Sequence, residues 1–299
     1  MRATKEEIKM KEKKSGKLSS YAFIAPAMII YLSVIIVPIG YSLFISLNEW
    51  NGIGEMNFVG LGNYVKLFTS DAIFWTALKN NMVWIVMTLL ITMTIALLLA
   101  NAVSGKFRGK TFFRGIFYLP CVIAPIAVAI IWRWIYNPNV GFINQLFAVM
   151  GSDFSQTWLA SKDASLYAVF FASLWAGLGQ PMILFLAGIQ GIPGDVMEAA
   201  HIDGANSIKR FFLITIPLLK ETFVIVVATL MIAALKVYDI VKGLTDGGPS
   251  GATEMLSTYM YSQTFKYNNV GTGTAIACVM LILMMLIVIP YVIFTAKED

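Results

Sequence analysis

Six apolar runs, at roughly 22–47, 82–102, 113–135, 166–188, 223–240 and 274–295, govern what this chain can become. As helices they are long enough to cross about 30 Å of hydrocarbon. A lone strand in lipid would leave its backbone N–H and C=O groups unpaired, so each run is expected to be a helix. The fold class predicted is all-α, a polytopic membrane protein with six transmembrane helices. Composition points the same way: 13% of the 299 residues are charged, against about a quarter in a soluble domain.

The formal charge of +5 is sorted by loop and not gathered into a patch, so no nucleic-acid partner is expected. With the N-terminus inside, seven Lys and Arg lie in residues 1–17, four in 106–114, three between 198 and 220, and one at Lys297, fifteen of the 22. That positive-inside bias puts both termini in the cytoplasm. Residues 1–20 read as a basic cytoplasmic tail, either solvated or lying against anionic membrane lipid, and 21–299 as the transmembrane domain. The first run follows a basic segment yet is too long for a signal-peptide core and lacks a clear cleavage site, so it reads as a retained span.

Catalytic groups are hard to find. Cys121 and Cys278 fall in different spans, which argues against a disulfide, and no Cys/His spacing suits a metal. His201, the only histidine, lacks a nearby Ser or Cys partner and reads as a surface residue. Lys106 and Lys110 each follow a glycine, but neither has the further upstream glycine that a P-loop needs. The chain is therefore not expected to be an enzyme or to bind a cofactor or metal of its own.

Between the fourth and fifth runs lies a charged island, 193–217, containing EAAHIDGANSIKRFFLITIP. Asp195 with Glu198 three residues on makes a capping box and predicts a helix from Val196. Gly204 can take the left-handed conformation that ends a helix, and Ser207 can start a second one. Pro217 should then bend the chain into the fifth run. The expected product is a knuckle with Ala199 and Ala200 on its surface, small enough for another protein's backbone to approach; the plainer reading is an amphipathic linker.

Residues before and after that island break the apolar pattern. Pro26 and Pro38 interrupt the first run, with Pro38 a possible kink. External helices are expected after it, around Tyr64 to Leu78 with a cap at Ser70, and another after NPNVG. The fourth run carries Trp175, Gly177, Gly179, Gln180 and Pro181, an irregularity tolerated only against protein or a wet cavity. Trp175, Gly179 and Gln180 are thus pathway candidates, or simply packed. At the end of the fifth run Lys236 and Asp239 share a helical face beside Tyr238, a mixture suited to a sugar's hydroxyls and apolar face, or to an interfacial ion pair with an anchoring tyrosine.

The string EAA, three residues, then Gly, with I-x-P beyond, resembles the cytoplasmic coupling loop of membrane subunits of ATP-binding-cassette importers. The fuller EAAHIDGA, the APAMIIYLSVIIVPIGYSLFISLNEWNG opening, FVGLGNYVKLF after the first span, and the TDGGP and TYMYSQTF strings are similar to the sugar-importer branch, related to the maltose transporter. His201 and Asp246 stand where that family varies or prefers glycine. The resemblance implies the type I importer permease fold in a bacterial or archaeal inner membrane. It implies a second, homologous permease, a dimeric cytoplasmic ATP-binding subunit that uses ATP and Mg, and an extracellular or periplasmic binding protein. Glu198, Ala199, Ala200, Asp203 and Gly204 are its implied ATPase-coupling residues.

The function expected is one permease half of a binding-protein-dependent importer of a sugar, favouring an oligosaccharide. The alternatives are a glycerol-phosphate importer and a proton-coupled carrier. The last is disfavoured because no acid lies deep in a span to serve as a relay.

Overall fold

The computed structural model describes residues 23–105 and 107–296. The predicted tail, Lys106 and Lys297 lie outside the described residues. Helix α1 (Phe23–Ser46) is continuous through Pro38. The turn before that proline widens into a π turn at Leu32–Ile36, closed by the Val37 N–H on the Leu32 carbonyl, which accommodates the ring without breaking the helix.

A short antiparallel pair follows, β1 (Asn48–Glu49) with β2 (Asn57–Phe58), then α2 (Gly62–Ser70). Buried Asn63 fastens this end: its Nδ2 donates to the Ser46 and Asn48 carbonyls at 2.9 Å each. Helix α3 (Ala72–Ser104) starts well before the predicted residue 82. Asp71, and not Ser70, caps it, its carboxylate accepting from the Phe74 N–H at 2.9 Å. The Ser70 hydroxyl instead donates back to the Lys66 carbonyl.

The third run is not one helix. Its halves, α4 (Lys110–Val122) and α5 (Pro125–Ile135), meet at 100°. Between them Ala124 is extended, φ −56° and ψ 134°, because the ring of Pro125 disfavours a helical residue before it. Helix α6 (Phe142–Val149) follows the NPNVG turn. The fourth run forms α7 (Ser165–Gly177) and α8 (Gly179–Gly191), bent by 46° at the expected irregularity.

The knuckle comprises α9 (Gly194–Ile202) and α10 (Ser207–Leu218). Helix α11 (Lys220–Leu235) departs from it at 73°, just past Pro217. It stops at Leu235, short of the predicted residue 240. Tyr238, at φ −136° and ψ −64°, leaves helical geometry before α12 (Asp239–Leu244) begins. The Val237 carbonyl freed by this break accepts the Ser257 hydroxyl. Lys236 and Asp239 therefore do not share one helical face, a correction to the sequence reading. Helix α13 (Leu256–Tyr261, prolonged by a π turn at Ser262–Lys266) and α14 (Val270–Ala296) complete the chain.

Three single helices and three bent pairs among the described residues are long and apolar enough to cross a membrane, compatible with six spans. One core joins Trp84, Val128, Phe170, Leu235 and Val241 around the ends of α7 and α11. A second packs α3 on α8 through Ala96, Ala100, Met182 and Phe185, toward the knuckle. A third binds α2, α13 and α14 through Leu67, Leu256 and Ile276. Helix α1 leaves its apolar side chains largely exposed, as a helix does whose neighbours are lipid or another subunit.

Candidate functional site

Three cavities meet at Lys236. The first, about 660 Å³, is an apolar slot between α1, α13 and α14, with Tyr238, Ser257 and Tyr261 on its wall. The second, about 510 Å³, lies between α3, the α7–α8 break and α11. The third, about 260 Å³, sits against the α4–α5 hinge and the unwound segment from Lys236 to Ile240. Lys236 is at their junction because α11 ends there.

The 510 Å³ cavity combines hydroxyl, amide and ammonium groups with aromatic walls. Thr88, Thr92, Ser173, Gln180, Thr229 and Lys236 line it beside Trp84 and Phe170. Thr88 and Thr92 open and close a π turn in α3. No proline forces this turn, and such bulges often mark functional positions in helices. The Thr229 hydroxyl is spent on the Ile225 and Val226 carbonyls of its own helix, at 2.9 Å each. Among the described residues, the side chains of Ser173, Gln180 and Lys236 make no hydrogen bond or ion pair, so their polar groups are available to a guest.

The sequence candidates divide. Gln180 and Lys236 line the 510 Å³ cavity, and Lys236, Tyr238 and Asp239 the smaller one. Trp175 and Gly179 stand outside all three linings. Trp175 lies edge-on to Trp132, with ring centroids 6.1 Å apart. Gly179 is pressed against α4: a Cβ there would sit 2.8 Å from the Tyr118 Cα. Thr88, Thr92, Ser173 and Thr229 were not anticipated. Their signal was faint, hydroxyls four apart in an apolar run.

At the far end, Gly204 ends α9 at φ +77°. The Ala205 N–H donates to the Ala200 carbonyl at 3.0 Å and the Gly204 N–H to that of His201 at 3.1 Å, the paired bonds of a Schellman stop. Asn206 caps α10, its side chain accepting from the Lys209 N–H at 2.8 Å. The expected capping box is absent. Pro193 occupies the cap position of α9, which starts at Gly194, and Asp195 accepts only from the adjacent Val196 N–H. Ala200 points inward at 6% exposure, so only Ala199 of the pair is on the surface, with Glu198, His201 and Asp203. Ile202 and Ile208 stand out beside them, 80% and 68% exposed.

The loop after α12 carries the notable titratable group. Glu254 is largely withdrawn from water, and burial raises its carboxyl above the usual range although the Thr258 hydroxyl, donating at 2.7 Å, favours the ionised form. Lys242 pairs with Asp246 nearby and sits 5.2 Å above the Tyr261 ring. No cluster of His, Cys, Asp and Glu suited to a metal occurs among the described residues.

Comparison with known proteins gives a consistent picture. Residues 92–297 match the model of the "Binding-protein-dependent transport system inner membrane component" family. The chain is 38% identical over 291 residues to the "Probable ABC transporter permease protein YurN" of Bacillus subtilis, covering 95% of this chain and 99% of that one. It is 31% identical to the "Multiple sugar-binding transport system permease protein MsmF" of Streptococcus mutans, covering 90% and 92%. Its fold matches a chain of a bacterial ABC transporter involved in import of the acidic polysaccharide alginate, with TM-score 0.83 at 21% identity, covering 97% and 99%.

Proposed function

Because the chain belongs to the family of binding-protein-dependent transport system inner membrane components, we propose that it is one permease half of an ATP-driven saccharide importer, favouring an oligosaccharide. The observation that carries the reading is the 510 Å³ cavity, which sets free hydroxyl, amide and ammonium groups beside Trp84 and Phe170 within an apolar helical bundle. Sugars bind by this combination of polar hydrogen bonds and apolar ring faces. MsmF, by its name a multiple sugar-binding transport permease, supports the cargo class.

In this reading the termini and the knuckle are cytoplasmic. Glu198, Ala199, Asp203 and the exposed Ile202 and Ile208 seat in a cleft of a partner ATPase, with Gly204 holding their geometry. That partner hydrolyses ATP with its Mg; this chain has no catalytic part in it. A binding protein delivers cargo from outside, and a second permease supplies the facing wall. Closure of the ATPase dimer moves the knuckle, and the bends at Leu219, Leu178 and Ala124 are the joints at which packed segments tilt between inward-open and outward-open states. This is hinge motion between two populated arrangements, biased by nucleotide.

The test is to purify the tagged chain from its native membrane, identify what accompanies it by mass, and measure ATP-dependent uptake of a saccharide panel in proteoliposomes. Recovery of an ATPase and a second permease, with sugar-stimulated hydrolysis, is expected. A chain recovered alone that transports without ATP overturns the reading.

A further inference from the structure

The three cavities share one charged side chain. Lys236 lines the 660, 510 and 260 Å³ cavities alike, and in the first two it is, among the described residues, the only Asp, Glu, Lys, Arg or His on the wall. In the third, only Asp239 joins it. The break in α11 produces this placement: Lys236 is the residue at which the helix ends, its own N–H closing the last turn on the Ile232 carbonyl at 3.2 Å. The side chain is thereby freed from a helical face and directed to the junction. Among the described residues it has no ion-pair partner, although Lys242, six residues on, pairs with Asp246.

From this arrangement we infer that Lys236 sets the cargo class: the saccharide carries an anionic substituent, a carboxylate or a phosphate, that pairs with this ammonium in the 510 Å³ cavity. A neutral sugar is already provided for by Ser173, Gln180, Thr88 and Thr92. A lone positive charge on a wall otherwise free of charge among the described residues bonds a hydroxyl, but it pairs more strongly with an anion. It raises the local concentration of anions and discriminates against cations. Lys236 is exposed to the cavity space, and a carboxylate meeting its ammonium there forms a charge-assisted bond stronger than one to a neutral hydroxyl. Asp239, which also lines the 260 Å³ cavity, disfavours an anionic group there.

The inference rests on the proposed importer, and the experiment separates the two. Uptake by the purified complex is measured for trigalacturonate, for its fully methyl-esterified form, which has the same skeleton without charge, and for maltotriose. The acid is expected to be taken up with a KM roughly tenfold below that of its ester. Lys236→Gln should bring that ratio close to one, while Lys236→Arg should keep it. Because the ratio is internal to each variant, a general loss of assembly does not imitate the result. Equal KM values for acid and ester in the unmodified complex overturn the inference, as does uptake of maltotriose alone; both leave saccharide import standing. A ratio that Lys236→Gln leaves unchanged overturns it too, and points to a carboxylate of the second permease as the lysine's partner. Failure of ATP-dependent uptake for every saccharide removes the importer reading itself.

Discussion

The side-chain amide of Asn81, with no exposed surface, donates to the Ala234 carbonyl at 3.1 Å. Ala234 lies in the last turn of α11, where carbonyls lose their helical partners. The same amide accepts the Leu256 N–H at 2.8 Å, at the start of α13. One side chain from α3 thus caps two helix ends around the unwound Lys236–Tyr238 segment. Asn80 Nδ2 donates to two carbonyls of the loop before α13, those of Ala252 and Glu254, at 3.0 and 2.9 Å.

Asn81→Leu should therefore leave two buried backbone groups unpaired. Each such loss costs about 1–3 kcal/mol, less where the unfolded chain in lipid finds substitutes. The expected outcome is a lowered thermal midpoint of the purified complex, followed by tryptophan fluorescence. An unchanged midpoint would show that Ala234 and Leu256 find other partners.

Gly204 offers a sharper separation of roles. Its φ of +77° is open to glycine but strained for a β-branched side chain, although no atom lies within 4 Å of the space a Cβ would fill. The strain is thus purely of backbone origin. Gly204→Val is expected to distort the α9–α10 turn and reduce uptake severely while the partner's ATP hydrolysis continues. Gly204→Ala should cost about 1–2 kcal/mol locally and retain measurable uptake. Normal uptake by the valine variant would remove the docking assignment.

Glu254 predicts a pH effect. Burial raises its carboxyl above the unfolded value, so the folded state holds this proton more tightly than the unfolded state does. The stability it contributes is complete below the usual carboxylate range and is lost as pH rises through the raised value. Glu254→Gln, which mimics the protonated form, should flatten this decline above the usual carboxylate range in thermal unfolding. A decline that is as steep in the glutamine variant would assign the effect to another group.

How much of this could be seen beforehand depended on whether a residue's signal was local. The apolar runs announced the helices, and Gly204 announced its own stop, because positive φ is a property of one residue. The 46° break beside Gly177 and Gly179 was legible for the same reason. The 100° hinge at Ala124 was signalled by Pro125 yet masked by an unbroken apolar run, where hydropathy outweighs geometry. The early end of α11 was not legible. Lys236, Val237 and Tyr238 have no breaker among them, and the segment is held open by Ser257, twenty residues on. The cavity threonines were hidden likewise, since Thr88 and Thr92 face a space made by α7, α8 and α11.

Those threonines carry the last prediction. Thr88 and Thr92 are mostly buried, at 7% and 5% exposure, and both border the 510 Å³ cavity at the π turn. Threonine and valine have nearly the same outline, so Thr88→Val removes a hydroxyl and little else. If that hydroxyl bonds cargo, the variant loses a neutral hydrogen bond, about 1 kcal/mol, and KM for the transported saccharide should rise roughly fivefold. The double variant with Thr92→Val should add a comparable factor unless both hydroxyls serve the same sugar group, in which case the losses fall short of multiplying. If the π turn instead depends on the hydroxyls for its geometry, the thermal midpoint will drop and maximal uptake will fall along with affinity. Measuring midpoint, KM and maximal uptake on the same preparations distinguishes a cavity that recognises cargo from a helix that merely needs its bulge.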